Sequence, residues 1–347
     1  MLQINHKIEI GSKVSTSASE ISIESSFNTY TDTATITFAQ NSLKKDSGKA
    51  IFVGANAVFK IGESVKIYMG YDQDLKEVFR GYISNIKIEY PIVVECQDAS
   101  WLLKQSEVRI NMQNVSIKEL VTEMLKQAKV GSKYASEIEK IKLIAPDAIL
   151  GDIKTEGQRA VSFVGLLEEL KNTYSLISFF VEGNLYVSFG GATLNDVKEP
   201  TEVEITFEKN VISHNLQYQL KDEVPLGVKC VCMYPDNTKA ETFVGDQGGS
   251  YITLTYYNIL PKASDTQKIA ELERFATAEL EKARFDGYVG TFETFGRPLI
   301  KPADRVVLKT TRKELQERDG TYQAVSVSYS IGFGGFRQNV ELGRKLL

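Results

Sequence analysis

Thr33-Ala34-Thr35-Ile36-Thr37-Phe38 alternates with period two: Ala34, Ile36 and Phe38 point one way and three threonines the other. Successive side chains of a strand leave opposite faces, so this run reads as a strand buried on one side. The same reading extends outward. Phe59 to Met69 breaks at Ile61-Gly62 and then alternates again, Val78-Phe79-Arg80-Gly81-Tyr82-Ile83 is another strand, and Ile92 to Cys96 another. Short strands at this spacing, punctuated by Gly, Asp and Pro, predict a closed or nearly closed barrel over residues 1–103. Trp101-Leu102-Leu103 ends the segment with an apolar cluster.

Residues 104–200 change period. Ser116-Ile117-Lys118-Glu119 has the capping-box spacing, in which the serine hydroxyl accepts from the third amide and the glutamate reaches back. Ile117, Leu120, Val121, Met124, Leu125 and Ala128 follow at helical spacing, and Gly131 is a stop. Phe163, Leu166, Leu167 and Leu170 mark a second amphipathic helix. Leu176 to Val181 and Leu185 to Phe189 flank Glu182-Gly183-Asn184, a hairpin loop whose Gly and Asn tolerate positive φ. This segment reads as a small α/β domain.

Residues 201–347 return to strands: Val203 to Phe207, Val228 to Tyr234, Tyr251 to Tyr257, Tyr288 to Phe295, Arg305 to Thr310 and Thr321 to Ile331. One long helix, 264–284, interrupts them. It starts at Ser264-Asp265, buries a stripe of Ile269, Leu272, Ala276, Leu280 and Ala283, and shows solvent a face containing Glu279 and Lys282. The expected class is therefore α+β, mostly β: two similar β-barrel domains, an inserted small α/β domain and peripheral helices.

Composition bounds the function. At 347 residues the chain is long enough for about two to four domains. Hydrophobic residues at 42% support ordinary cores, and 17 Phe and 16 Tyr favour strands. The net charge of -4 does not point to a nucleic-acid binder, which normally carries a basic face, so no sequence-specific nucleic-acid binding is expected. Met1 to His6 lacks the charged and apolar regions of a secretory signal, and no run has the length of a membrane span, so no membrane partner is expected.

The sequence offers no catalytic, cofactor-binding or metal-binding residues to nominate. A zinc site needs about four ligands; the chain offers Cys96, Cys230 and Cys232 with His6 and His214. The cysteines read as reduced thiols, His6 as part of a frayed terminus and His214 as a structural strand histidine, with no partner motif for a general base. Gly332-Phe333-Gly334-Gly335 lacks the lysine and following helix of a phosphate loop, so a tight turn or bulge explains it. Asp98 reads as an Asx turn or helix cap before Trp101, and Arg80 as either a solvated strand arginine or an interface charge. A pair of carboxylates for glycoside hydrolysis is not identifiable from sequence, because separation in space defines it.

The barrel segment, from Phe59-Lys60-Ile61-Gly62-Glu63-Ser64-Val65 through Val78-Phe79-Arg80-Gly81-Tyr82-Ile83 to Cys96-Gln97-Asp98 and Trp101-Leu102-Leu103, resembles the N-terminal barrel of phage tail baseplate hub proteins. That family includes the late control proteins and the hub portion of type VI secretion spikes. Gly296-Arg297-Pro298-Leu299-Ile300-Lys301-Pro302-Ala303-Asp304-Arg305-Val306-Val307-Leu308 is similar to the family's G-x-P-x-I-x-P-G-D-x-V-x-L pattern, with Ala303 in place of a glycine. Asp319 to Tyr329 resembles its last long strand and Gly335-Phe336 to Gly343 its ending. The order barrel, insert, barrel also fits, although the matching motifs cover about a quarter of the chain.

The resemblance implies a non-enzymatic subunit. It implies a homotrimer that adapts a six-fold tail tube to a three-fold tail spike protein and surrounds a channel for DNA, tape-measure protein or effector. Tail tube and other baseplate proteins would be its partners, in a virion tail baseplate or tail-like particle assembled in the bacterial cytoplasm. Because the chain ends at Leu347, a separate spike is expected. A carbohydrate- or receptor-binding tail protein, and a cell-wall glycosidase, are the competing readings.

Overall fold

The Gly320–Gly332 strand is the spine of the molecule: it pairs with Gly335–Lys345, with Arg305–Lys309 and with Ala18–Ser26 near the opposite end of the chain. The structure is a computed structural model and describes residues 3–38, 43–46, 49–52, 59–87, 89, 91–155, 159–174, 176–189, 201–234, 238–257, 259–260 and 263–346. The boundary expected at 200 lies outside the described residues, as do the side chains of Phe189, Tyr257 and Lys282.

The chain is mostly β. A 16-stranded sheet runs from Val211–His214 through Gly287–Phe295, Gly335–Lys345, Gly320–Gly332, Ala18–Ser26, Thr33–Phe38, Ile92–Gln97, Asp74–Lys87 and Ser64–Tyr71 to Ile4–Ile10 and beyond. Nearly all its pairs are antiparallel; Glu202–Thr206 lies parallel to Arg305–Lys309. The alternation at Thr33–Phe38 is realised in full, with Ala34, Ile36 and Phe38 buried and Thr33, Thr35 and Thr37 part-exposed. Phe38 is fully buried and stacks on Phe59 at 5.4 Å between centroids; burying one such ring stabilises by about 1.5–3 kcal/mol. Both β-rich ends of the chain feed one core, in which Ile21, Ile23 and Ile36 join Phe292, Tyr329 and Phe336.

The insert has its own core. The Ile117–Lys129 helix carries the expected capping box, with Ser116 Oγ accepting from Glu119 N and the Glu119 side chain returning to the Ser116 amide. Gly131, with φ +73, follows its end. Its Leu120, Val121 and Met124 pack with Phe163, Leu166, Leu167 and Leu170 of the Phe163–Tyr174 helix and with Trp101, Leu102 and Leu103. The hairpin of Leu176–Val181 and Asn184–Phe189 turns on Glu182 (φ +52) and Gly183 (φ +84), so Glu182 rather than Asn184 takes the second positive φ.

A further layer was not separable by alternation alone. Leu226–Met233, Lys239–Gly245 and Ser250–Tyr257 form their own three-stranded sheet, with the first and last parallel. The Asp265–Ala283 helix covers it, capped by Ser264 and Gln267. Cys230, Cys232, Leu272 and Ala276 are the centre of this small core, whereas Ile269 stays 38% exposed because the buried stripe narrows to Leu272 and Ala276.

Candidate functional site at the junction of the layers

Of the residues singled out in sequence, Arg80 and Asp98 come to one cavity, whereas the histidines, the cysteines and the Gly332–Gly335 turn do not join them. His6 is not frayed: it lies in Ile4–Ile10, paired along its length with Ser64–Tyr71, and its Nε2 accepts from Ala18 N at 3.2 Å. Burial lowers its pKa, as expected for a neutral acceptor imidazole. His214 is exposed, edge-on to Phe207 at 5.6 Å. The three cysteines are buried and free. Arg80 is held by Glu77 through two bonds of 2.8 and 3.0 Å. Phe333 and Gly334 form the two-residue tip of the last hairpin, with Gly335 at φ +91 and the Phe333 side chain wholly exposed. No group of three or more His, Cys, Asp or Glu suited to a metal occurs among the described residues.

The segment 296–304 is inlaid into the large core. Gln338 is fully buried; its Oε1 accepts from Ile300 N at 2.9 Å, and its Nε2 donates to Phe295 O and Pro298 O at 2.7 and 2.8 Å. Tyr329 Oη donates to Ile300 O at 2.6 Å. Asp304, 3% exposed, accepts from Lys301 N and Thr201 N, and the Arg297-Pro298 bond is cis. Ala303 keeps the positive φ, +74, that a glycine there would adopt freely.

Beside this inlay, all three parts of the chain line one cavity of about 100 Å³. Ser25, Phe27, Asp32, Phe79, Arg80 and Asp98 come from the first segment, Phe179 to Gly183 from the insert, and Lys301 to Ala303 with Tyr329 from the last. Its polar heart is a carboxylate pair. The Asp32 carboxylate accepts from Ser25 Oγ at 2.6 Å and Ser26 N at 3.0 Å. The Asp98 carboxylate accepts from Asp32 N at 3.0 Å and Ser100 N at 2.9 Å, which is the expected Asx turn plus an unforeseen long-range bond. Burial pushes Asp32 up, with the Asp98 charge adding to it, and burial pushes Asp98 up. Local sequence carries no signal for this pairing, since the partners are 66 residues apart.

The outward face of the sheet is a field of short polar side chains. One cross-strand row reads Glu293, Asn339, Ser328, Glu24, Thr33 and Gln97; its neighbour reads Phe295, Arg337, Ser330, Ser22, Thr35 and Glu95. Such a face offers hydroxyls and carboxylates, and Arg337 is the one cation in these two rows.

No protein-family model matches the chain, and no curated protein matches its sequence. Solved structures do match in fold. A tail protein from Neisseria meningitidis MC58 superposes with a TM-score of 0.64 at 16% identity, over 99% of this chain and 96% of that one. The 43 kDa tail protein of prophage MuSo2 from Shewanella oneidensis gives 0.58 at 14% identity, covering 98% of each chain. An Escherichia coli component of the type VI secretion system, described as similar in structure to T4 bacteriophage tail proteins, gives 0.54 at 8% identity over 97% of this chain and 76% of that one. The chain has the fold of these tail and secretion proteins along its whole length, which is the fold expected from the hub resemblance.

Proposed function

We propose that this chain is a structural subunit of a phage tail baseplate or a related contractile injection machine, and not an enzyme. The observation that carries the reading is the end-to-end match of fold to a tail protein, 99% of one chain on 96% of the other. In this reading residues 1–103 and 201–347 act as the two barrel-bearing units and 104–200 as an insert. Three subunits form a ring around a channel, join a six-fold tube to a three-fold spike, and contact tube, spike and other baseplate proteins in the tail. A closed three-fold ring needs two different, mutually complementary sides on each subunit, and neighbouring copies would cover the sheet edges that a free subunit exposes.

The junction cavity supports a structural role over glycoside hydrolysis. Its volume of about 100 Å³ is well below the roughly 300–1,000 Å³ of ordinary ligand pockets. Both carboxylates are also occupied by backbone and serine donors.

Light scattering after size exclusion tests the assembly. The expected species is a trimer of about 116 kDa, three times the 38.8 kDa chain, or a trimer formed on adding the spike protein. A chain that stays monomeric with and without its spike overturns the reading.

A further inference from the structure

Two aromatic side chains pin the insert to the barrel. The turn that follows Ala18–Ser26 carries Phe27, whose ring lies 6.4 Å from Phe179, and Tyr30, 6.0 Å from Phe180. Phe179 and Phe180 belong to the insert's hairpin strand Leu176–Val181. The turn holds its shape through the carboxylate pair. Asp32 closes it by accepting from Ser25 and Ser26. Asp98 fastens it to the start of the Ser100–Lys104 helix, the Trp101 helix, by accepting from Asp32 N and Ser100 N, while Asp98 N donates back to Asp32 O at 3.0 Å. Thr31 Oγ1 and Ser100 Oγ, 2.9 Å apart, add a second tie.

The charged groups around the pair make their bonds elsewhere, although the nearby Lys104 charge favours an ionised Asp98. On the Trp101 helix, Lys104 Nζ donates to Gln97 Oε1 at 2.9 Å. At the cavity mouth Arg80 bonds Glu77, and Lys301 Nζ lies 3.4 Å from Glu182. On the facing strand and inlay, Tyr329 donates to Ile300 O, and Asp304 accepts from backbone amides. Tyr30, on the turn itself, has a buried hydroxyl with no partner. No ion pair among the described residues reaches Asp32 or Asp98; Asp98 is 4% exposed and Asp32 half-buried, so two full charges there would repel with little water to screen them on the Asp98 side.

We propose that the Asp32–Asp98 pair is a proton-held latch between barrel and insert. While the pair retains a proton, the turn keeps Phe27 and Tyr30 on Phe179 and Phe180. When both carboxylates ionise, the turn loosens and the insert is freed to move on the barrel. The buried environment lifts Asp32 to about 7 and Asp98 to about 6 from the ordinary 3.8. Both folded values are raised, so the closed state holds protons that the open state gives up. The latch is therefore firm in acid and weakens as pH rises through about 6 to 7. It holds whether or not the chain works in a tail.

Hydrogen exchange on the full chain between pH 5.5 and 9, corrected for intrinsic rates, tests this. Residues 26–32 and 176–181 are expected to lose protection together, by about twentyfold between pH 6 and 8.5, while 335–345 keeps its protection. Asp32→Asn mimics the protonated acid: its Oδ1 still accepts from Ser26 N and its Nδ2 can donate to Ser25 Oγ. It is expected to flatten the profile, and Asp98→Asn serves if the first variant does not fold. A flat wild-type profile overturns the latch, as does loss of protection across the whole chain at once or a variant profile equal to wild type.

Discussion

Replacing Gln338 by methionine, close to it in shape, removes three hydrogen bonds from the centre of the large core without leaving a large void. The Ile300 N–H then has no acceptor at 2.9 Å, and Phe295 O and Pro298 O each lose a donor. A buried amide left unpaired costs about 1–3 kcal/mol, and each lost carbonyl bond about 1 kcal/mol, so the expected destabilisation is about 3–5 kcal/mol. That is a large share of the roughly 5–15 kcal/mol that holds a typical domain together. The assay is urea unfolding read by far-ultraviolet circular dichroism, which follows the sheet, beside the fluorescence of Trp101, the one tryptophan, which sits in the insert's core. The midpoint of the sheet transition should fall with its slope unchanged. Gln338→Glu should be worse at pH 8 than at pH 5, since only the protonated acid can donate to either carbonyl. A Gln338→Met loss below about 1 kcal/mol would refute the argument that this side chain anchors the 296–304 inlay.

Ala303→Gly should stabilise the protein by about 0.5–1 kcal/mol: an L-residue at φ +74 is strained by about 1–2 kcal/mol, partly offset by glycine's freer unfolded chain. A lowered unfolding midpoint would show that the turn is not strained. Gly81→Ala places a Cβ 2.1 Å from Gln97 O and 2.8 Å from the Phe79 ring, so a loss of about 1–3 kcal/mol or failure to fold is expected in thermal melts. Cys96 and Cys230 are buried, with burial pushing the Cys230 thiol up to about 11 and Cys96 higher. A thiol reagent at pH 8 should therefore find none of the three cysteines in the folded protein and all of them after unfolding. Stoichiometric modification of the folded chain would contradict that burial.

Local rules were readable wherever a few neighbouring residues decide the outcome. Period two at Thr33–Phe38, the caps at Ser116 and Ser264, and the stop at Gly131 each depend on contacts within a few positions. Strand partners depend on contacts far along the chain. Nothing near His6 reveals that Ser64–Tyr71 will lie against it, so a paired strand looked like a loose end. Leu226–Met233 and Ser250–Tyr257 carry ordinary strand patterns, and only the helix that covers them sets them apart from the large sheet. At the junction, the Asx turn of Asp98 was legible because Ser100 is two residues away, whereas Asp32 was not, because its role exists only once two distant strands have paired. Ala303 is the reverse case: an alanine stands where the resembling pattern has glycine, which suggests an altered turn, yet the backbone there has kept the glycine shape.

The pairing of Ala18–Ser26 with Gly320–Gly332 also sets a timetable for synthesis. Ser26 donates to Val325 O across 299 residues, and at about 5–20 residues per second the ribosome needs roughly 15–60 s to deliver that partner. Throughout that interval the nascent Ala18–Ser26 strand offers one unpaired edge, a template for mistaken pairing. Ser22 and Glu24 on its outward face make it a poor one. A chain that stops before residue 320 keeps that edge open, so the Gly320–Gly332 strand is what closes the early part of the sheet.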